Sequence, residues 1–293
     1  MKQNLSPTPP YQQSAMASCG SDRALATAAA GGACELLSYR GDRSRNRIVS
    51  PSTATSTGPM PSSKTNSFSP RRLASTAAVP TVGTGAVLAD LRGDKEFVFE
   101  EGIGPVEVAV DGGTIRLRLR APRYESSPDA PPAAAIASAL SLPEDAIADC
   151  WYGGVGLRFC FIRLASPELV DRAALDRAAW ASGVAGGWAR EMYVFAGDFA
   201  DGARLHARMF GPGVGVDEDP ATGSACASLI ASLAARSPEQ DGSYRFQVDQ
   251  GVAMGRPSAL EGTASKEGGE ITEVTVGGSA TIVGHGTMTL PAG

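Results

Sequence analysis

From Val79 onwards the chain is a succession of short periodic stretches; before it there is almost no periodicity. The apolar spacing predicts a helix over about 82–91 and a strand at 95–100. Strands at 104–110 and 114–119 follow, joined at Asp111-Gly112-Gly113, a sequence suited to a hairpin turn. In the latter strand Ile115, Leu117 and Leu119 alternate with Arg116, Arg118 and Arg120, which reads as one buried and one wet face. Residues 122–132 form a linker-like crossing. Next come a helix over 133–140, a turn from Pro143, a strand at 157–164 after Gly153-Gly154-Val155-Gly156, and a helix over 167–179. Strands at 191–196 and 203–210 lead to a second clear helix, with Cys226, Leu229, Ile230 and Leu233 at helical spacing. Further strands are predicted at 244–248, 271–276 and 279–290. Strands dominate and the class is α+β.

The junction before that second helix carries the candidate chemistry. It runs from Arg208-Met-Phe-Gly-Pro-Gly213 through Glu218-Asp219-Pro220-Ala221-Thr222-Gly223-Ser224. Pro220 disfavours helix at the residue before it, so the acidic pair belongs to an extended approach. Thr222, Gly223 and Ser224 are small, so the first turn of the helix suits an anion such as a substrate carboxylate. The pattern recurs: Pro80, Gly83 and Thr84 fall on Pro220, Gly223 and Ser224 at one constant offset. Two copies suggest two similar lobes, each delivering a helix N-terminus to a shared cleft.

Bulk properties narrow the classes. With 293 residues, two ordinary domains fit. Five cysteines without a C-x-x-C pair and two histidines suggest neither a metal site nor a disulfide framework. No apolar run is long enough to span a membrane. Net charge is −5, yet residues 1–89 carry nine Lys/Arg against Asp22, Glu35 and Asp42, so the body beyond is strongly acidic. That body argues against a nucleic-acid partner. Residues 50–80 hold 18 Ser, Thr or Pro out of 31, too little apolar surface to offset ordering entropy. Three readings of residues 1–74 compete: a transit peptide, a disordered tail, or a mis-specified start replacing part of a domain.

Three segments together resemble the PhzF family of phenazine-biosynthesis-like proteins: Arg208 to Gly213, Glu218-Asp-Pro-Ala-Thr-Gly-Ser-Ala225, and Gln250-Gly-x-x-Met-Gly-Arg-Pro-Ser258. Pro80-Thr-Val-Gly-Thr84 and 153–164 extend the likeness to about residues 78–290. The resemblance implies a diaminopimelate-epimerase-like fold, with two pseudo-symmetric lobes of barrel-like sheet, each around a central helix. On that basis 75–121 with 278–293 form the remains of a first lobe, and 122–277 the second. It implies a cofactor-independent isomerase that moves a proton on a small carboxylate, without metal, often as a homodimer, in the cytoplasm or, if residues 1–72 are a transit peptide, in an organelle. By motif, Asp219 and Ser224 are the catalytic candidates, with Gly223, Thr222, Gly83, Thr84, Met254, Gly255 and Arg256 as substrate-binding residues. Epimerase relatives carry a Cys at the helix start, where this chain has Ser224, which disfavours two-thiol racemisation.

Two departures matter. The family's Gly-His-Pro-Thr reads Ala78-Val79-Pro80-Thr81 here, without histidine. The family's proton-shuttling Glu stands about thirty residues upstream, but residues 45–56 contain no acid. An impaired enzyme and a non-catalytic ligand-binding or dimerisation relative are therefore both open. A nucleotide-dependent oxidoreductase is discounted, because Gly211, Gly213 and Gly215 lack the G-x-G-x-x-G spacing. Simpler roles compete at single residues: helix cap for Asp219, surface or strand positions for His206 and His285, core for Cys160, and an ordinary ion pair for Arg256.

Overall fold

The structure, a computed structural model, describes residues 81–99 and 105–282 with their side chains and, as main chain alone, the helix and strand residues below that lie outside those ranges. The competing readings of residues 1–74 lie mostly outside what is described. Strands β1 (Ser14–Gly20), β2 (Arg23–Ala30) and β3 (Ala33–Ser38) pair antiparallel in turn, and β4 (Arg40–Asp42) pairs with β5 (Arg47–Val49).

Helix α1 (Ala78–Arg92) starts earlier than the periodicity indicates, with Pro80 in its first turn. Proline is tolerated there because first-turn N–H groups have no intrahelical partner. The helix lies against β6 (Glu96–Glu101), β7 (Gly104–Asp111) and β8 (Thr114–Arg120), burying Leu88 with Phe97, Val106, Val108, Ile115 and Leu117. The wet face of β8 is as expected. Arg116 pairs with Glu261 at 2.9 Å, Arg118 with Glu273 at 3.5 Å and Arg120 with Glu107 at 2.7 Å.

The second half begins with β9 (Tyr124–Ser127), inside the expected crossing, and α2 (Ala133–Ala139). The hairpin of β10 (Ile147–Val155) and β11 (Leu157–Leu164) follows. Two short helices, α3 (Pro167–Arg172) and α4 (Arg177–Gly183), replace the single helix expected over 167–179. Ala173 turns to extended geometry (φ −57°, ψ 132°), and Asp176 caps α4 through the N–H groups of Ala178 and Ala179.

Next come β12 (Met192–Ala196), β13 (Ala203–Gly211), β14 (Val216–Asp219), α5 (Gly223–Arg236), β15 (Gly242–Gln250), β16 (Ser258–Glu267), β17 (Glu270–Ser279) and β18 (Thr281–His285). The expected terminal strand at 279–290 is thus divided between β17 and β18, and its end, from 286, lies outside the described residues.

One sheet runs β4-β5-β6-β7-β8-β17-β16-β15-β13-β12-β11-β10-β9, with β14 alongside β13; β18-β1-β2-β3 form a second. The long sheet wraps α5, which is buried almost all round, not along one stripe. Small side chains allow this. A Cβ on Gly153 of β10 would stand 2.8 Å from Ser232 Oγ on α5. The hydroxyls that α5 buries are satisfied: Val155 N–H donates to Ser228 at 3.0 Å and the Trp151 indole to Ser232 at 2.7 Å. A separate apolar cluster, including Ile136, Leu140, Ile162, Val170 and Val194, packs α2, α3 and α4 on the outer face of β10–β13.

Candidate functional site

Strand register assembles the site. Tyr193 of β12 pairs with Met209 of β13, and Met209 with Asp219 of β14. On the edge of β13 that carries β14, away from β12, Ala207 pairs with Gln250, the last residue of β15. Tyr193, Asp219 and Gln250 therefore occupy neighbouring rungs at one end of the sheet, where β14 hands over to α5.

Pro220 and Ala221 carry the chain to Thr222, which stands in the N-cap position of α5 without making a side-chain cap bond. The Thr222 hydroxyl instead donates to Asp219 Oδ2 at 2.5 Å, and the first helical bond is closed by Cys226 N–H on Thr222 O at 3.0 Å. Asp219 is thus not the cap of α5. Burial raises its carboxyl above the ordinary aspartate range, opposed by the Thr222 hydroxyl, the Arg256 charge and the Ala221 N–H. An acid so shifted, still reachable from outside, is better suited to exchanging protons than an ordinary surface aspartate.

Gln250 is fully buried and its amide is saturated. Nε2 donates to Asp219 O at 2.7 Å and to Thr222 Oγ1 at 3.0 Å; Oε1 accepts from Tyr193 Oη at 2.9 Å and Thr222 N at 3.2 Å. After Gln250 the chain turns at Gly251 (φ +76°) and returns at Ser258. The N–H groups of Met254 and Arg256 close that turn on Gly251 O, at 3.2 and 3.0 Å. A Cβ on Gly251 would strike Arg256 O and stand 2.6 Å from Pro220 O. The motif from Gln250 is thereby seated on the motif at Asp219.

Glu218, the other half of the acidic pair, faces away from this cluster. Arg208 Nε and Nη2 grip its two oxygens at 2.7 and 2.8 Å, while Arg208 Nη1 donates to the carbonyls of Val170, Asp171 and Ala173. Arg208 thus ties β14 to the end of α3 and explains why the helix stops there.

The structure gathers Asp219, Thr222, Gly223, Ser224, Met254, Gly255 and Arg256 into two adjoining loops and one helix start. Gly83 and Thr84 lie in the second turn of α1, not at its first, so the internal repeat does not place two equivalent helix starts. The two helices touch, and the Thr84 hydroxyl is buried with no hydrogen-bond partner among the described residues. His206 is a strand residue bonded to Asp171 at 2.7 Å, and Cys160 and Cys226 are core. His285 has no described side chain. The roles of Gln250, Tyr193 and Arg208 are not legible from sequence alone, although Gln250 and Arg208 stand at the head of their motifs.

Among the described residues no cluster of three His, Cys, Asp or Glu is arranged to hold a metal ion, and no helix is long and apolar enough to cross a membrane.

The model of the PhzC-PhzF family, described as phenazine biosynthesis-like protein, matches residues 60–286. The chain belongs to this family. An uncharacterised isomerase of Mesorhizobium japonicum is 32% identical over 231 residues, spanning 72% of this chain and 75% of that one. The trans-2,3-dihydro-3-hydroxyanthranilate isomerase of Pseudomonas chlororaphis is 39% identical over 89 residues, 30% of this chain and 32% of that protein. Among solved structures, a PhzF-family protein of Bacillus anthracis superposes with a TM-score of 0.58 at 18% identity, covering 69% of this chain and 72% of the other. A predicted epimerase from Pseudomonas aeruginosa superposes with a TM-score of 0.52 at 22% identity, covering 69% and 70%. The fold is that of the PhzF and epimerase-like proteins, and the named sequence relatives are isomerases.

Proposed function

We propose that this PhzF-family chain is an isomerase that moves a proton on a small carboxylate substrate without a cofactor, and that it is impaired as it stands. The observation carrying this reading is Asp219, a partly buried acid with a raised pKa, held at the start of an uncapped helix beside Ser224. Asp219 holds the moving proton. Ser224 and the main chain of Gly223 and Ser224 receive a carboxylate or enolate-like oxygen, favoured by the helix dipole. Thr222, Met254, Gly255 and Arg256 complete this side, and Gly83 and Thr84 belong to the opposite one, in lobes divided near residues 121 and 278. Impairment rests on Val79 in the place of the family's His and on the absence of an acid in 45–56. The same two replacements favour a second reading, a non-catalytic relative that binds ligand or dimerises. A homodimer in the cytoplasm belongs to the first reading.

The test uses trans-2,3-dihydro-3-hydroxyanthranilate, named in several relatives, with proton NMR in D₂O and calorimetry. The expected result is binding without deuterium uptake above the uncatalysed rate. Asp219→Asn should weaken binding about tenfold, the value of one lost charged hydrogen bond. Unchanged affinity in Asp219→Asn would remove the site assignment. Rapid uptake by the unsubstituted chain would refute impairment.

A further inference from the structure

We infer that Gln250 is a positioning residue that turns the Thr222 hydroxyl onto Asp219 Oδ2, so that a proton moved by Asp219 travels on Oδ1. The inference rests on the reading of Asp219 as the proton-holding group, and it concerns what fixes that group.

The argument is donor accounting. An uncharged amide has two N–H donors and an oxygen with two lone pairs. At Gln250 both donors are used, on Asp219 O and Thr222 Oγ1, and both lone pairs are used, by Tyr193 Oη and Thr222 N–H. Flipping the amide would set its oxygen against the Asp219 carbonyl and its nitrogen against the Thr222 N–H. Its orientation is therefore fixed twice over, by the Asp219 carbonyl and the Thr222 N–H, which cannot exchange roles.

A threonine hydroxyl has one proton and accepts through its oxygen. Because Gln250 Nε2 already donates to that oxygen, the hydroxyl proton is turned away from the amide. The Asp219 Oδ2 atom, 2.5 Å off, takes it. A proton placed on Oδ2 would face the threonine proton across that gap, so Oδ2 stays an acceptor in both states of the acid. Oδ1 carries the exchange. Burial of Gln250, Thr222 and Tyr193 keeps water from competing for these bonds.

The experiment follows the Asp219 carboxyl by ¹³C NMR titration of aspartate-labelled full-length protein, with its resonance assigned by loss in Asp219→Asn. Thr222→Val should raise the apparent pKa by about one unit, since a hydrogen bond to the charged form is removed. Thr222→Ser keeps the hydroxyl and should titrate like the unsubstituted chain. Gln250→Met, which frees the hydroxyl proton to turn, should give part of the same rise. Adding Thr222→Val to Gln250→Met should add nothing beyond Thr222→Val alone. Equal titration of Thr222→Val and Thr222→Ser overturns the inference, as do fully additive shifts of the Gln250 and Thr222 variants. If Gln250→Met does not fold, the valine–serine pair decides alone. None of these readouts needs turnover, so failure here is distinguishable from failure of the isomerase reading.

Discussion

Replacing Arg208 with methionine should cost about 4 kcal/mol of folding stability, and the figure follows from what its guanidinium touches. Arg208 is 8% exposed and the Glu218 side chain 17%. The substitution strands a half-buried carboxylate whose two oxygens are gripped at 2.7 and 2.8 Å. Removing one partner of a buried pair costs about 3–5 kcal/mol, and the remaining exposure of Glu218 places this case at the low end. Three carbonyls lose a donor as well. Val170 O still accepts from Ala173 N–H at 3.2 Å, and Asp171 lies at the surface, where water replaces the lost bond. The buried Ala173 carbonyl adds about 1 kcal/mol. Methionine keeps most of the packing against Phe210, whose ring centre lies 4.9 Å from the guanidinium carbon.

Guanidinium unfolding by linear extrapolation measures the loss, with an unchanged slope showing that stability, not the unfolded state, has moved. Arg208→Lys keeps the charge but not the fork, and should lie between the two. The double substitution Arg208→Met with Glu218→Met should recover about half the loss, because no carboxylate is left stranded. A loss below about 1 kcal/mol in Arg208→Met would refute the reasoning, since it falls short of even one orphaned buried carbonyl. A double variant weaker than the single one would refute it too.

Asp219→Asn should raise Tm at neutral pH while weakening ligand binding about tenfold. The folded-state pKa of Asp219 is raised, so its contribution to stability is full below the unfolded-state value and is lost as pH rises through the folded one. The Tm gain of the variant should therefore vanish as pH falls through that window, and a gain independent of pH would contradict the sign. Gly251→Ala should cost about 3 kcal/mol, from a left-handed φ and a Cβ driven onto Pro220 and Arg256 carbonyls, and lower Tm by roughly 10 °C. Cys160 and Cys226 should resist thiol labelling at pH 8 until the chain unfolds, because both are buried and burial pushes Cys226 up to about 12. Mass spectrometry of the labelled native protein checks this peptide by peptide.

What could be read from sequence was whatever is written in periodicity or in turn chemistry: the β7–β8 hairpin, the alternation on β8, and the Pro220-to-α5 junction. Strand β16 escaped because its inner face is Leu260, Gly262, Ala264 and Lys266, hardly an apolar pattern. Gly262 and Ala264 are small because α5 passes close; a Cβ on Gly262 would stand 2.5 Å from Ile230 Cδ1. Lys266 is the extreme case, buried with its Nζ donating to the Ser237 carbonyl at 3.0 Å at the end of α5. The split of 167–179 into α3 and α4 was hidden for another reason. It is imposed by Arg208, 35 residues from Ala173, and no local propensity records that. Gln250 was missed because an uncharged amide gives no electrostatic signal; only its four partners reveal it.

The separation of these partners along the chain bears on what the missing histidine changes. Asp219 is bonded by Thr222 and Gln250, Gln250 is held in turn by Tyr193, and the loop seated on Asp219 ends by 258. None of these comes from α1. The described bonds that order the half-site at α5 therefore come from its own strands and loops. On the proposed reading, loss of a base from the other half would remove proton abstraction without removing the anion site, so binding and turnover should be separable. Val79→His leaves the glutamate unreplaced, so it should bind ligand as the unsubstituted chain does and stay silent in deuterium exchange; a changed affinity in calorimetry would show that α1 helps to hold this half.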